Sequence, residues 1–423
     1  MRVLLAAYAE KTHFLAMVPL AWALRSAGHE VRVATQPELV PVVVGAGLTA
    51  VPVGADHNMA RVTKRFTGRW FAERHPELYE KVRWGRLPPF DLPDRPDWDY
   101  LVDGYEQVVP GYRMANEPMV DDLVGFARAW RPDLVLWEPA TYAAPIAAVA
   151  AGAAHGRVLW SPDFYGRMRQ DLRGLRAGGR EGGDALTSWL ERTANRFGVE
   201  FTEDLVTGGF TVDQFPASLR TPTGLPVVPV RYVPYPGPAV VPEWLREPPA
   251  RPRVCLTLGL SSTERFGGYS VGVQEILESV ADLDIEVVAT VAEAERHRLG
   301  VIPGNTRVVS FVPLPVLLPT CSAVVHHAGF GTLCTSLLSG VPQLTMPEQE
   351  DAVVSSRRVA GQGAALTVHA SEVTGEGVRN RVIRLLGEPS FATAADRLRD
   401  EMLEMPTPND VVPRLVDRVA ALR

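Results

Sequence analysis

The stretch from Leu314 to Asp351, LPVLLPTCSAVVHHAGFGTLCTSLLSGVPQLTMPEQED, constrains the fold more than any other part of the chain. Its pattern predicts a short buried strand over Ala323 to His327, a glycine-containing turn up to Gly331, and a helix over Thr332 to Ser339. Glycines let the backbone approach a ligand, and the amino end of the following helix attracts an anion. The stretch therefore predicts an α/β domain with a phosphate site at the end of a strand.

After this helix a second strand is predicted to begin near Val341, and polar residues follow at its carboxyl end, where ligands of open α/β sheets collect. The combined pattern resembles the nucleotide-diphosphate-sugar signature of family 1 glycosyltransferases. The matching residues are His327, Gly329, Gly331, Thr332, Gly340, Pro342, Gln343, Glu348 and Gln349. An isolated His-x-Gly would favour an ordinary strand and helix cap, but the later motifs in register reverse that preference. Ala328 stands where many relatives have Gly, and Glu348 where many have Asp.

Length and composition limit the class of protein. A chain of 423 residues exceeds what one hydrophobic core supports and predicts two domains. The net charge of -6 gives no electrostatic basis for binding nucleic acid or an anionic membrane. Three cysteines without metal-ligand spacing indicate reduced thiols, and the sequence pattern predicts neither a signal peptide nor a membrane-spanning segment. We therefore expect a cytoplasmic enzyme.

The amino-terminal region opens with alternating strands and helices. Strands are predicted over Arg2 to Tyr8 and His29 to Ala34, a Rossmann-like start. The turn from Ala7 to His13 has no glycine, which argues against NAD. His13, with Pro19 beyond it, resembles the catalytic-histidine loop of the same glycosyltransferases, and this resemblance implies that His13 is the general base. The alternative is a surface histidine that caps the next helix.

Two further strand ends carry candidate site residues. The strand from Pro132 to Trp137 ends at Glu138, and the resemblance implies that this acid orients the catalytic histidine. Alternatively, Glu138 is a charge that complements the dipole of the next helix. The strand from Val254 to Leu258 is followed by Gly259-Leu260-Ser261-Ser262, which is either a phosphate-facing turn or an ordinary turn with a serine cap.

The resemblance covers nearly the whole chain and implies the α/β GT-B fold, in which two Rossmann-like domains face each other across a cleft. The expected domains are an acceptor-binding domain over 1–234, a proline-rich linker over 235–251, a nucleotide-sugar-binding domain over 252–405, and a helix within 406–423 that crosses back. Within the family the chain is most similar to actinobacterial enzymes that glycosylate macrolide and aromatic polyketide aglycones. Four segments carry this likeness: Leu134 to Ala148, Val212 to Arg220, Thr223 to Pro238 and Arg253 to Ser262.

The resemblance implies inverting, metal-independent transfer of a deoxysugar or aminodeoxysugar to a hydroxyl of a polyketide aglycone in antibiotic biosynthesis. The expected donor is a thymidine diphosphate (dTDP) sugar, with no resident cofactor and no Asp-x-Asp pair at the end of a predicted strand to hold a metal. The implied donor-binding residues are Gly259, Ser261, Ser262, Val312, His327, Ala328, Gly329, Phe330, Gly331, Thr332, Glu348 and Gln349. The alternatives are a sugar-nucleotide epimerase or hydrolase of the same architecture, and a non-catalytic subunit.

Two irregular segments are candidates for contacts with large molecules. Arg61 to Tyr112 is rich in aromatic residues, and Gly166 to Gly183 is predicted to be a mobile solvated loop. Similar glycosyltransferases include some that need a cytochrome P450-like activator, so such an activator is one candidate partner. A second copy of the chain, forming a homodimer, is the other. The anchors would be Trp70, Phe71, Trp84, Phe90, Trp98 and Tyr100. Alternatively, these aromatics line an acceptor pocket or pack on the domain.

Overall fold

The computed structural model describes residues 1–57, 73–74, 76–77, 95–259, 268–348 and 350–421. Three predicted donor-binding residues, Ser261, Ser262 and Gln349, lie outside these ranges, as do the aromatics Trp70, Phe71, Trp84 and Phe90. Within them, no helix combines the length and apolar character needed to cross a bilayer. The described residues form two parallel β-sheets with helices packed on them.

The first sheet contains the strands of the amino-terminal half, all parallel, in the order β3-β2-β1-β4-β5-β6-β7. Strands β1 and β4 are almost wholly buried, as expected where helices cover both faces of a parallel sheet. The strands are β1 Arg2–Ala6, β2 Glu30–Thr35, β3 Ala50–Pro52, β4 Leu134–Trp137, β5 Ala154–Val158, β6 Thr211–Asp213 and β7 Val227–Pro229. The helices are α1 Lys11–Leu15, α2 Val18–Ser26, α3 Val40–Gly45, α4 Trp98–Asn116, α5 Val120–Trp130, α6 Ala143–Ala150, α7 Phe164–Ala177, α8 Ala185–Asn195 and α9 Asp204–Thr207.

The second sheet repeats this arrangement, in the order β10-β9-β8-β11-β12-β13. Its strands are β8 Arg253–Thr257, β9 Glu286–Thr290, β10 Thr306–Val309, β11 Ala323–His326, β12 Gln343–Thr345 and β13 Ala365–Thr367. The helices of this half are α10 Val273–Ser279, α11 Leu314–Leu317, α12 Phe330–Leu338, α13 Glu350–Gly361, α14 Gly375–Gly387, α15 Pro389–Glu404 and α16 Pro408–Ala421. The two predicted Rossmann-like halves are thereby confirmed; the boundaries proposed for each domain stay a prediction.

Strand order reverses once in each sheet, between β1 and β4 and between β8 and β11. Loops leaving neighbouring strands diverge at such a point and open a crevice at the carboxyl edge, where ligands bind. His13 and Glu138 follow β1 and β4, whereas Gly259 and His327 follow β8 and β11. The sheet topology therefore places His13 and Glu138 at the carboxyl edge of the first sheet, and Gly259 and His327 at that of the second.

Each half of the molecule also receives a segment from the other. Phe215, Leu219 and Tyr232 belong to the amino-terminal half but pack in a hydrophobic cluster with residues of α12 and α15. Conversely, apolar side chains of α16, including Val411 and Leu415, pack into the core beneath the first sheet. Polar contacts reinforce the exchange: Ser218 donates to the carboxylate of Glu401 from its backbone N (2.9 Å) and its hydroxyl (2.6 Å). The halves are thus joined by much more than the linker.

The predicted mobile loop from Gly166 to Gly183 is wrong for most of its length, because Phe164–Ala177 forms α7. Asp163 caps this helix by accepting from the Gly166 backbone N at 2.8 Å. The Arg169 side chain is fully buried, where it donates to Asp184 at 3.0 Å and to Glu203 at 2.6 Å. Both acids lie well after Arg169 in the chain. Because the local sequence does not show these partners, its arginines resembled those of a solvated loop.

Candidate functional site

His13 lies in α1, one short turn beyond the end of β1, rather than in the open turn that the sequence indicated. Glu10 caps this helix, and the His13 side chain is only 6% exposed. Its Nδ1 atom lies 3.2 Å from Glu138 Oε2, within ion-pair distance although outside hydrogen-bond geometry. The structure therefore brings the predicted base and its predicted acid together, and Nε2 is the nitrogen on the other side of the ring.

Glu138 is fully buried at the end of β4 and is surrounded by donors. Oε2 accepts from the indole Nε1 of Trp160 at 3.0 Å and from the Ala140 backbone N at 3.1 Å. Oε1 accepts from the Thr141 hydroxyl, whose oxygen accepts in turn from the Tyr8 backbone N at 2.8 Å. These hydrogen bonds stabilise the carboxylate in the interior and couple the ends of β1 and β4.

Trp160 was not identified from the sequence. It follows β5 and stacks on His13, with ring centroids 3.6 Å apart and an interplanar angle of 15°. On another side of the imidazole, the Tyr8 ring makes an edge contact at 5.4 Å. The available signal was that Trp160 ends a short apolar run in the sequence, since strand ends collect site residues in this architecture.

His327 occupies the corresponding edge of the second sheet, between two glycines. A Cβ atom at Gly259 would lie 2.5 Å from His327 Cε1, and one at Gly329 would lie 2.4 Å from His327 Nε2. Any larger residue at either position would displace the ring. Although His327 keeps some solvent exposure, enclosure by these backbones desolvates the imidazole and lowers its pKa to about 4. At pH 7 the ring is therefore neutral and carries one N–H donor.

The neighbouring His326 is fully buried, whereas His327 keeps some solvent exposure. Its Nδ1 accepts from the Ala328 backbone N at 3.1 Å, so its Nε2 carries the proton and donates to Gln343 Oε1 at 2.8 Å. Desolvation lowers the pKa of His326 to about 3. Ala328 has a φ of 64°, a left-handed conformation that costs a non-glycine residue about 1 kcal/mol or more. The hydrogen bond from Ala328 to His326 stabilises this turn.

Helix α12 begins immediately after the turn, with Gly329 at its N-cap and no side-chain cap. The first backbone hydrogen bond of this helix runs from Leu333 N to Gly329 O. The backbone N–H groups of Phe330, Gly331 and Thr332 therefore have no partner within the helix. Thr332 is partly exposed beside them. Such a helix start suits an anionic diphosphate.

Phe330 links the two halves of the site. Its ring makes edge contacts with Phe215 at 5.4 Å and Tyr232 at 5.3 Å. It also packs against the hydrophobic cluster that contains Trp160 and Tyr165. The start of α12 therefore lies beside the residues that hold His13.

Two other predicted donor-binding residues are held by protein contacts. The Glu348 carboxylate accepts from the Ser270 hydroxyl, and its backbone O accepts from His369 Nε2 at 3.2 Å. The Val312 side chain is buried in the core of the second half, so its backbone is the part that a ligand could reach. The adjacent Phe311 ring, by contrast, is 54% exposed. The roles of both predicted residues stay predictions.

We expect Gly329→Ala to weaken binding of a nucleoside diphosphate by about tenfold, because a new methyl group would displace the His327 ring and remove one hydrogen bond. The φ of -58° at Gly329 suits alanine, so backbone strain does not contribute. Calorimetric titration with dTDP measures the change. Gly125→Ala is the matched control, since its Cβ meets nothing within 4 Å in α5. Equal affinities for the two variants would contradict the prediction.

Comparison with family models gives two matches that together span most of the chain. The model described as "Erythromycin biosynthesis protein CIII-like, N-terminal domain" matches residues 22–87 and 89–259. The corresponding C-terminal domain model matches residues 274–418. Glu138, Trp160 and His327 lie within these matched ranges, whereas His13 precedes the first match.

Similar proteins of known activity match over the full chain. The 10-deoxymethynolide desosaminyltransferase of Streptomyces venezuelae is 49% identical, covering 100% of this chain and 97% of that protein. The aklavinone 7-beta-L-rhodosaminyltransferase of Streptomyces galilaeus is 48% identical, covering 100% and 96%. Among solved structures, glycosyltransferase VinC in complex with dTDP has a TM-score of 0.86 at 40% identity, with complete coverage of both chains. Spinosyn forosaminyltransferase SpnP has a TM-score of 0.81 at 38% identity, with 99% coverage of both.

Proposed function

The chain belongs to the erythromycin biosynthesis protein CIII-like family and is a glycosyltransferase of the GT-B fold; from this premise we propose that it transfers a deoxysugar or aminodeoxysugar to a hydroxyl of a polyketide aglycone in antibiotic biosynthesis. The names of its relatives support this substrate class, since they include transferases acting on 10-deoxymethynolide and aklavinone. A thymidine diphosphate sugar is the proposed donor, supported by the complexes of VinC and of spinosyn rhamnosyltransferase SpnG with that nucleotide.

The contact of His13 with the buried Glu138 carries the proposed mechanism. His13 Nε2 takes the proton of the acceptor hydroxyl while its oxygen attacks the anomeric carbon of the donor. The bond from that carbon to the diphosphate oxygen breaks, and attack from the opposite face inverts the configuration. Glu138 orients the ring through Nδ1 and stabilises the imidazolium that forms.

The second half would bind the donor. The N–H groups at the start of α12, the Thr332 hydroxyl and the His327 N–H are the donors available to the diphosphate. Because negative charge grows on the diphosphate as the sugar leaves, these preorganised groups stabilise the transition state more than the ground state. No step of this scheme uses a metal ion. In the described part of the chain, His, Cys, Asp and Glu side chains form no cluster of three or more that could hold one.

The three cysteines are free, which supports a reducing compartment and a cytoplasmic location for this reaction. Two partners are proposed beside the substrates: a P450-like activator and a second copy of the chain. Of the six aromatic anchors, the structure describes Trp98 and Tyr100, and both pack against the core of the first half. Arg176 also lies over the Trp98 ring at 5.8 Å. These contacts favour a packing role for the two residues.

The test is product analysis by mass spectrometry, with a panel of macrolide and anthracycline aglycones and several dTDP-sugars. We expect a product heavier than one aglycone by one deoxysugar residue, together with release of the nucleoside diphosphate. The purified chain is assayed alone and with a candidate activator, and its mass in solution reports a homodimer. Diphosphate release without a glycosylated product, with and without the activator, would contradict transfer and support the hydrolase alternative.

A further inference from the structure

Trp160 contacts both members of the proposed catalytic pair. The face of its indole lies parallel to the His13 ring at a centroid distance of 3.6 Å. Its Nε1–H donates to Glu138 Oε2 at 3.0 Å, and that oxygen also lies 3.2 Å from His13 Nδ1. The side chain is only 7% exposed and packs with Ala16, Phe164 and Tyr165, which restrict its movement. One tryptophan therefore determines both the stacking surface of the histidine and the hydrogen bonding of the acid.

We propose that Trp160 is a positioning residue that holds the His13 ring against Glu138 for proton transfer. The inference rests on the proposed role of His13 as the base that accepts the proton of the acceptor hydroxyl. Before the reaction the His13 ring is neutral, and after the proton transfer it is an imidazolium that faces the indole. The environment that Trp160 provides thus differs in energy between the two protonation states.

The two contacts of Trp160 act on different members of the pair. A cation is attracted to the face of an indole, so the stacking favours the imidazolium that forms during proton transfer. The Nε1–H group donates to the Glu138 carboxylate and fixes its orientation. Together they hold the ring with Nδ1 directed at Glu138.

Few other groups in the described part of the chain face His13. Tyr8, at the end of β1, presents its edge at 5.4 Å, and the His57 ring lies 5.4 Å beyond Tyr8. His57 Nε2 donates to the Ala9 backbone O at 3.2 Å. On α1 itself the charged neighbours are Glu10, which caps the helix, and the exposed Lys11. Glu138 is the one described carboxylate at ion-pair distance from the ring, so its charge is the main electrostatic influence that Trp160 can modify.

Two variants separate the contacts. Trp160→Phe keeps an aromatic face and removes the N–H, so we expect kcat to fall by about threefold to tenfold. Trp160→Leu removes both, so its kcat should lie below that of the Phe variant by a further factor of about two to five. Affinity for dTDP should stay unchanged in both. The tautomer of His13 is followed by nitrogen-15 NMR of histidine-labelled enzyme, and the Nδ1–H form that faces Glu138 should be less dominant in both variants than in wild type. The His13 resonances are assigned by their absence in His13→Ala.

The split between kcat and dTDP affinity provides a second readout, since a general loss of structure would lower both. Trp189→Phe is the matched control, since this buried tryptophan packs on Tyr142 in the same half of the molecule. We expect it to leave kcat and the His13 tautomer unchanged. An unchanged kcat and tautomer in Trp160→Phe as well would overturn the proposal, even if Trp160→Leu does not fold. Full activity of His13→Ala would instead refute the role of the base, while the NMR signals of His13 would still report on Trp160.

Discussion

Replacing His13 by alanine should lower kcat by about a hundredfold to ten-thousandfold, the usual contribution of a general base. The remaining Glu138 carboxylate is buried behind the ring and accepts three other hydrogen bonds, so it cannot take over proton removal from the acceptor. Affinity for dTDP should stay nearly unchanged, because His13 belongs to the first sheet and the proposed diphosphate site to the second. Steady-state kinetics and calorimetry measure the two quantities.

His29→Ala is the control for the His13 variant. This histidine lies beside the amino terminus, with its Nδ1 3.1 Å from the Met1 amino group, at the start of β2 and away from the carboxyl edge. We expect full activity from it. A His13→Ala enzyme within a few-fold of wild type would show that another group removes the proton. A parallel loss of donor affinity would show that the variant disturbs the whole cleft.

Replacing His327 by alanine should weaken donor binding by about tenfold to a hundredfold and lower kcat as well. Hydrogen bonds to charged groups contribute about 1.5–3 kcal/mol, and a donor to a developing negative charge contributes more in the transition state. Because the pKa of His327 is about 4, the ring acts as a neutral N–H donor, and its own titration should not change dTDP affinity between pH 6 and 8. Calorimetry with dTDP across this range and single-turnover kinetics measure both effects.

His297→Ala is the control in the same half, since His297 is exposed on the surface. Unchanged dTDP affinity in His327→Ala would assign this ring a structural role. His326, although adjacent, would not replace it as a phosphate donor. Both of its ring nitrogens are engaged in the interior, by Ala328 and Gln343.

The regular parts of the fold were predictable because buried strands and helix ends have local signals. The strands that end before Glu138 and His327 are short runs of apolar residues, and the glycines after β8 and β11 indicate a close backbone approach. Their meeting in space follows from strand order, which local pattern does not contain. It entered the prediction through the resemblance to a known family.

What could not be predicted depends on contacts between distant segments. Trp160 acts through its orientation toward His13 and Glu138, and an isolated tryptophan after a strand has many ordinary roles. The glycines at 259 and 329 were interpreted as approaching a phosphate, whereas their immediate neighbour is the His327 ring. Helix α7 was missed because its buried Arg169 is neutralised by Asp184 and Glu203, which the sequence places well after it.

The reciprocal exchange of segments between the halves bears on the construction of chimeric enzymes. A hybrid joined within 235–251 would combine the Phe215 and Tyr232 rings of one parent with the α12 and α15 surfaces of another, and would place a foreign α16 on the first sheet. Each recombined half would then contain one badly matched core, whatever its substrates. A chimera that exchanges donor preference should therefore take 215–219 from the carboxyl-terminal parent and keep β7 and α16 from the amino-terminal one. This requires four joints in the chain instead of one.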